Sequence, residues 1–263
     1  MISIIIVSFN ARADLERCLA SLQASPPRTP HEILVVDNAS TDGSADAARR
    51  SPGVSVIAQA VNAGFAAANN VGIRASRGDL LLLLNSDTIV PAGAVDRLFA
   101  ELETAPDVAV IGPRLVDGSG RAELSFGSMI SPLNEWRQKR RRRDAEAVER
   151  LTRERRYPDW VSGACLLVRR ADAEAVGLLD ERYFMYTEDV DFCASVRARG
   201  RRILFTPAVE IVHLRGRSAA SAPAETTRAY RSSQLAFYRK HHPLWAPLLA
   251  VYLRLLGQAS VHT

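Results

Sequence analysis

Three apolar runs, Ser3–Ser8, Glu32–Val36 and Asp79–Leu84, are each followed closely by a polar residue. They are rich in Ile, Val and Leu and show no polar–apolar alternation, the pattern of strands buried on both faces. Between the first two, Ala11–Ala24 carries Leu15, Leu19 and Leu22 at helical spacing, and the Pro-rich break Ser25–Pro30 ends it. Ser44–Arg50 reads as a helix, Val54–Ala58 as a short strand, and Asn62–Ala75 as a loop entering a helix. Strands alternating with helices predict an α/β protein with a mostly parallel, Rossmann-like central sheet flanked by helices. Ligands of such sheets bind at the carboxyl ends of the strands. Ser8, Asp37 and Asp87 all fall at or just past those ends.

The second half is less regular. Asp117–Gly120 suits a hairpin turn, and Arg137–Arg156, which includes the run Lys139–Arg143, suits an exposed helix or a mobile loop. Trp160–Arg169 reads as a strand carrying Ser162, Gly163 and Ala164. A helix over Val190–Arg199 and a strand over Arg202–Phe205 follow. Just before that helix, residues 180–193 interleave Asp180, Glu181, Glu188, Asp189 and Asp191 with Tyr183, Phe184, Met185, Tyr186 and Phe192. Acids at a helix N-terminus are favourable in themselves. A solvated acidic face has no use for the aromatic companions.

Composition narrows the function classes. The 263 residues are 47% hydrophobic and 24% charged, which supports a large core and opposes disorder. Cys18, Cys165 and Cys193 are too few and too scattered for a disulfide framework or a four-ligand zinc site, so a reducing, cytoplasmic setting is expected. The opening MISIIIVSFN lacks a basic leader and a small-residue cleavage site, and reads as a buried first strand. No apolar run approaches the ~20 residues of a spanning helix. A net charge of +5 favours anionic partners. Nucleic acid is not expected among them, because the arginine run has neither interleaved aromatics nor a known binding module around it. A dinucleotide-binding domain is disfavoured as well, since the loop Ser8–Arg12 has no GxGxxG to admit a pyrophosphate.

The ordered motifs Val7–Asn10, Val36–Ser40, Asn62–Ala66, Asn85–Asp87, Ser162–Ala164, Glu188–Asp191 and His213-x-x-Gly216-x-Ser218 carry a resemblance. Over about Ile2 to Lys240 the chain resembles the family 2 glycosyltransferases of GT-A fold, nearest to bacterial rhamnosyltransferases of cell-wall and O-antigen assembly. That resemblance implies an inverting sugar transfer, with L-rhamnose from dTDP-rhamnose as the first-ranked donor and a UDP-sugar as the alternative. A catalytically silent carbohydrate-binding relative is the reading from outside enzymology. It implies a nucleotide site of Ser8, Phe9, Asn10, Asp37, Asn38, Gly64, Asn69, Asn85, Ser86 and Asp87, with Phe9 against the base and Asp37 accepting from its imide. Asp87 and His213 would hold Mg²⁺ or Mn²⁺, although Asn85 stands where many members have a second Asp. Asp189 would be the general base, with Glu188 tuning it, and Gly163, Ala164, Glu188 and Asp191 would face the acceptor sugar.

The implied domains are a catalytic unit over residues 1–228, its nucleotide half about 1–115 and its acceptor half about 116–228, and a basic, amphipathic helical tail over 229–263. The acceptor is expected to be a saccharide or lipid-linked saccharide, met at the inner face of the membrane. Leu244, Trp245, Leu248, Leu249, Val251, Tyr252, Leu255 and Leu256 suit a helix lying in the membrane interface. They suit equally a helix packed on the core or on the second subunit of a homodimer.

Overall fold

The computed structural model describes residues 1–214 and 223–255. Gly216 and Ser218 of the histidine motif and Leu256 of the tail lie outside the described residues. The first half builds β1 (Ile2–Ser8), α1 (Arg12–Ala24), β2 (His31–Asp37), α2 (Ser44–Arg49), β3 (Val54–Ala58), α3 (Phe65–Ala75) and β4 (Leu80–Asn85), in the expected alternation. Then come β5 (Thr88–Ile89), α4 (Ala94–Glu103), β6 (Val108–Val116), β7 (Ala122–Glu123) and β8 (Phe126–Gly127). The basic stretch forms two helices, α5 (Pro132–Arg142) and α6 (Ala145–Leu151). Next are β9 (Trp160–Val161), β10 (Cys165–Arg169), α7 (Arg170–Ala175), α8 (Glu188–Ala198) and β11 (Arg202–His213). The described chain ends with α9 (Pro223–His241) and α10 (Ala246–Leu255).

One nine-stranded sheet runs in the order β3-β2-β1-β4-β10-β6-β11-β5, with β7 on β6. Strands β3, β2, β1 and β4 are parallel, in a register that sets Ser8 beside Asp37 and Val7 beside Asn85. Beyond β4 the sheet is mixed. β10 lies antiparallel between β4 and β6, and β11 pairs with β6 in parallel. The inversion of β10 brings its entry turn, Gly163–Ala164, to the edge where the parallel strands end; Asn85 N–H donates to the Ala164 carbonyl at 2.9 Å.

Alternate side chains of each strand enter opposite layers. Ile2, Ile4 and Ile6 pack with Leu15, Leu19 and Leu22 of α1 and with Leu98 and Leu102 of α4. Ile5, Leu81 and Leu83 pack on the other face with Ile73, Phe192 and Phe237. Each such side chain contributes about 1.5–3 kcal/mol by leaving water. This burial outweighs any single polar contact in the fold.

Four expectations are corrected. The strand expected over Trp160–Arg169 is broken into β9 and β10 by the turn at Ser162–Ala164. The strand expected to stop at Phe205 continues as β11 to His213, past a register shift between Thr206 and Glu210. The helix expected from Val190 starts at Glu188, so the acid pair occupies its first turn. Finally, α9 runs through position 229, and its Phe237 and Tyr238 are buried in the core. This first part of the tail belongs to the body of the protein.

Gly112 of β6 lies under β9, where an added Cβ would stand 2.7 Å from Val161 Cβ. Gly112→Ala should therefore lower stability by about 1–3 kcal/mol through overpacking. Urea unfolding checks this, and an unchanged midpoint would show that β9 yields without cost.

Candidate active site at the carboxyl edge of the sheet

Of the buried side-chain polar atoms without a partner among the described residues, Ser8 Oγ, Asp37 Oδ1, Asn85 Oδ1 and Glu188 Oε2 belong to residues expected at the site. An unsatisfied buried polar atom costs about 1–3 kcal/mol, so their concentration here marks a surface shaped for a ligand. Ser8 and Asp37 are paired in register at the ends of β1 and β2. The other carboxylate oxygen of Asp37 accepts the Ser40 N–H at 3.0 Å, which fixes the group and leaves Oδ1 available. Phe9, just past β1, is 45% exposed and presents a ring beside this pair.

The asparagines expected to border a nucleotide have a different use in the structure. Asn38 donates to Asn62 Oδ1 and the Gly64 carbonyl and accepts from Ala63 N–H, so it pins the loop before α3. Asn10, at φ 48°, accepts from Thr41 N–H and ties two loops of this edge together. Asn69 donates to the Phe65 carbonyl one turn earlier in α3. These side chains shape the rim.

Gly64 has a structural reason for its identity. Its φ is +89°, and an added Cβ would lie 2.4 Å from the Phe184 carbonyl oxygen. That same oxygen accepts the Phe65 N–H at 2.7 Å. The acidic segment thus crosses directly over the start of α3, so both halves of the chain share one site.

At the far end of the edge, β11 and the turn after β4 bring His213 and Asp87 together, with Nε2 and Oδ1 3.3 Å apart. Asn85 Nδ2 stands 3.5 Å from the same ring nitrogen. Behind the ring, Nδ1 meets Glu123 Oε2 at 3.2 Å, which holds Nε2 toward Asp87. Burial alone would lower the imidazole pKa, but the hydrogen bonds and charges of Asp87 and Glu123 raise it to about 9. A carboxylate oxygen and an imidazole nitrogen 3.3 Å apart are ligand types that a divalent cation takes once it displaces the Nε2 proton, and Asn85, whose Oδ1 has no partner, stands beside them. Among the described residues, no group of at least three His, Cys, Asp and Glu side chains converges on a metal position. Sequence reasoning missed Glu123. It lies on a two-residue strand with no periodic signal, and only the hairpin turn at Asp117–Gly120 hinted at it.

The acidic segment resolves into separate roles. Asp189 Oδ2 accepts the Gly163 N–H at 2.9 Å, and Oδ1 accepts the Val190 N–H at 2.8 Å. Burial still raises Asp189 above the ordinary aspartate range, against those donors. Burial, reinforced by the charge of Asp189, holds Glu188 well above the usual carboxylate range. The two carboxyls differ in what holds them: Asp189 has two backbone donors, whereas one oxygen of Glu188 has no partner and its shift is the larger. Tyr186 and Thr187 enter the helix at φ 71° and 66°, a left-handed strain that surrounding contacts must hold.

Two further expectations are corrected here. Asp191 does not face an acceptor. It is buried and accepts from Tyr183 OH, Lys240 Nζ at 2.8 Å and His241 Nε2 at 2.6 Å. Its place at the fourth position of α8 turns it toward α9. Nor do all the aromatic companions of the acids belong to the site, because Tyr183 and Phe192 are core residues. Phe184 is exposed, while Tyr186 packs edge-on against Tyr230 of α9.

Comparison with known proteins places this geometry. The sequence model of "Glycosyl transferase family 2" matches residues 3–174. The N-acetylglucosaminyl-diphospho-decaprenol L-rhamnosyltransferase of Mycobacterium tuberculosis is 31% identical over 277 residues, covering 94% of this chain and 88% of the relative. The low-salt glycan biosynthesis hexosyltransferase Agl10 of Haloferax volcanii is 24% identical, covering 89% of this chain and 71% of that one. Among solved structures, the Pyrobaculum calidifontis mannosyltransferase PcManGT in complex with GDP-Man and Mn²⁺ matches with a TM-score of 0.65 at 19% identity. That match covers 94% of this chain and 67% of the neighbour, and it shows the shared GT-A fold.

Asp191→Ala should destabilise the protein by about 3 kcal/mol, since Lys240 and His241 would lose their buried partner. Nucleotide affinity of the folded fraction should stay near wild type. A variant that melts normally but loses nucleotide would return Asp191 to the binding surface.

Proposed function

The chain belongs to glycosyl transferase family 2, and we propose that it moves L-rhamnose from dTDP-rhamnose, with inversion, onto a lipid-linked saccharide at the inner face of the membrane. The observation that carries this reading is the Asp189 carboxylate, held by the Gly163 N–H at the edge shared with Asp37, Asp87 and His213. The Mycobacterium tuberculosis relative supports the donor sugar and a GlcNAc-diphospho-lipid acceptor. A UDP-sugar is the second donor reading.

In the proposed reaction Asp189 takes the proton of an acceptor hydroxyl as that oxygen bonds to the anomeric carbon. The bond from that carbon to the donor diphosphate breaks on the opposite face, and the nucleoside diphosphate leaves. A raised pKa makes Asp189 a better proton acceptor. Burial and the neighbouring Asp189 charge both disfavour the ionised form of Glu188, so the pair resists carrying two charges at once. Asp37 Oδ1 accepts from the imide of the base, and Phe9 covers the base's face. Gly163 and Ala164 line the acceptor side. Asp87 and His213 would hold Mg²⁺ or Mn²⁺, with Asn85 beside them, and the cation would neutralise charge on the departing diphosphate. With one carboxylate in this set, the donor diphosphate would have to supply further ligands.

Asp189→Asn should cut turnover roughly 10²–10⁴-fold while donor affinity holds, because the amide keeps its shape and cannot take a proton. In the wild type, turnover should fall as pH drops toward and through a range above that of an ordinary aspartate, since protonation removes the base. Radiolabelled transfer from dTDP-rhamnose to a GlcNAc-diphospho-lipid measures both. Normal turnover in a folded Asp189→Asn variant would remove Asp189 as the base, and efficient transfer from UDP-sugars alone would overturn the donor. Excess chelator should stop transfer, and Mg²⁺ or Mn²⁺ should restore it. Asp87→Ala should raise the metal concentration required more than His213→Ala does, since it removes the charge. Full activity in chelator would take both residues out of the metal site.

A further inference from the structure

Helix α10 is apolar on both of its faces. Ala246 and Leu253 are buried, and Leu249 packs against the core. On the opposite side Leu244, Trp245, Leu248, Val251, Tyr252 and Leu255 are each 52–88% exposed, at the spacing of a continuous helical stripe. A second exposed apolar pair, Leu133 at 54% and Trp136 at 58%, stands on α5, more than a hundred residues earlier in the chain. The fold joins the two. His242 Nε2 meets the Ile130 carbonyl at 2.7 Å, and Glu135 accepts from Gln234 and Tyr238 of α9. Scattered exposed leucines need no explanation, but a patch assembled from two segments does.

Charge identifies what covers it. Helix α5 continues from Trp136 through Arg137, Lys139, Arg140 and Arg141, with Arg143 just past its end, all exposed and without ion pairs among the described residues. We propose that Leu133, Trp136 and the outer face of α10 form a single docking surface for an anionic lipid bilayer, with the arginine-rich turns of α5 seated on the headgroups. A second copy of the chain fits this surface less well. A two-fold contact through the patch would set its arginine runs against each other, and like charges brought together oppose association. An anionic bilayer supplies the opposite charge and an apolar layer for the Leu, Trp and Tyr side chains at once. Among the described residues no helix is long and apolar enough to cross a membrane, so α10 lies along the interface.

The docking surface stands on the exposed residues and their charge alone, and its bearing on catalysis rests on the lipid-linked acceptor proposed above.

Flotation of the full chain with phosphatidylglycerol vesicles, phosphatidylcholine vesicles and no lipid separates the outcomes. Wild type should float with the anionic vesicles, less with the neutral ones, and partly dissociate at high salt. The triple variant Trp136→Ser, Leu248→Ser, Tyr252→Ser should lose flotation at an unchanged melting temperature, since all three side chains are exposed. Arg137→Gln with Arg140→Gln should weaken binding to anionic vesicles roughly 25-fold, about fivefold per basic residue. Both variants should retain transfer to a short-chain, water-soluble acceptor. Absence of wild-type flotation on anionic vesicles, or flotation indifferent to both variants, would overturn the proposal. So would a concentration-dependent dimer that the apolar triple variant dissolves and vesicles do not compete with. Intact flotation without sugar transfer would instead count against the proposed function and leave the surface in place.

Discussion

A sheet covered on both faces meets solvent only along its ends, and this constraint locates all the chemistry described above. Its strands are filled mainly with Ile, Val and Leu, and the few polar residues inside them, such as Ser3, Arg114 and Thr206, have partners within the fold. Unpartnered polar side chains gather where strands stop. Ser8, Asp37, Asn85 and His213 occupy such positions, and the inverted β10 adds Gly163 and Ala164 to the same edge. The unpartnered oxygens along that edge are tolerable because the burial of the strands outweighs them many times over. Stability of the layers is what permits an unsatisfied rim.

Three acids within four residues of α8 show how strongly helical geometry decides chemical fate. Glu188, Asp189 and Asp191 carry the same functional group on the same turn. The helix aims Asp189 at the Gly163 amide, sinks Glu188 where its outer oxygen has no partner, and turns Asp191 toward Lys240 and His241. One is held by backbone amides, one is buried with an oxygen left unpartnered, and one becomes a structural counter-charge. Such a division cannot be read from charge density along the chain.

What was legible in the sequence follows from the range of the interactions involved. The parallel half of the sheet announced itself through runs such as Ser3–Ser8 and Asp79–Leu84, because a strand buried on both faces writes its environment into every residue. Asp87 and His213 could be paired through the resemblance alone, since no local pattern links residues so far apart, and the fold brings them to 3.3 Å. Strand β6 left no clear mark, and β11 was cut short at Phe205 because Thr206 and Pro207 interrupt its apolar run. The roles of Asn38, Glu123 and Asp191 depend on partners 25 to 90 residues away, and single side chains of that kind carry no periodicity. The tail misled for a related reason. Its Lys240 and His241 look like part of a solvated basic run, yet they reach back to a buried carboxylate.

Lys240 bridges Asp180 and Asp191, the two ends of the strained segment that delivers the acid pair, and Ser233 of the same helix holds the Met185 carbonyl. In engineering terms, residues from Asp180 to His241 are one cassette with two attachment points, though they are split in sequence by β11. A graft that replaced Asp180 and Asp191 along with the segment between them would leave Lys240 without its carboxylates. A graft that exchanged only the tail would leave a buried Asp191 without cations. The segment that carries the acid pair and helix α10 are thus mechanically coupled, since the helix that braces the first leads within a few residues into the second.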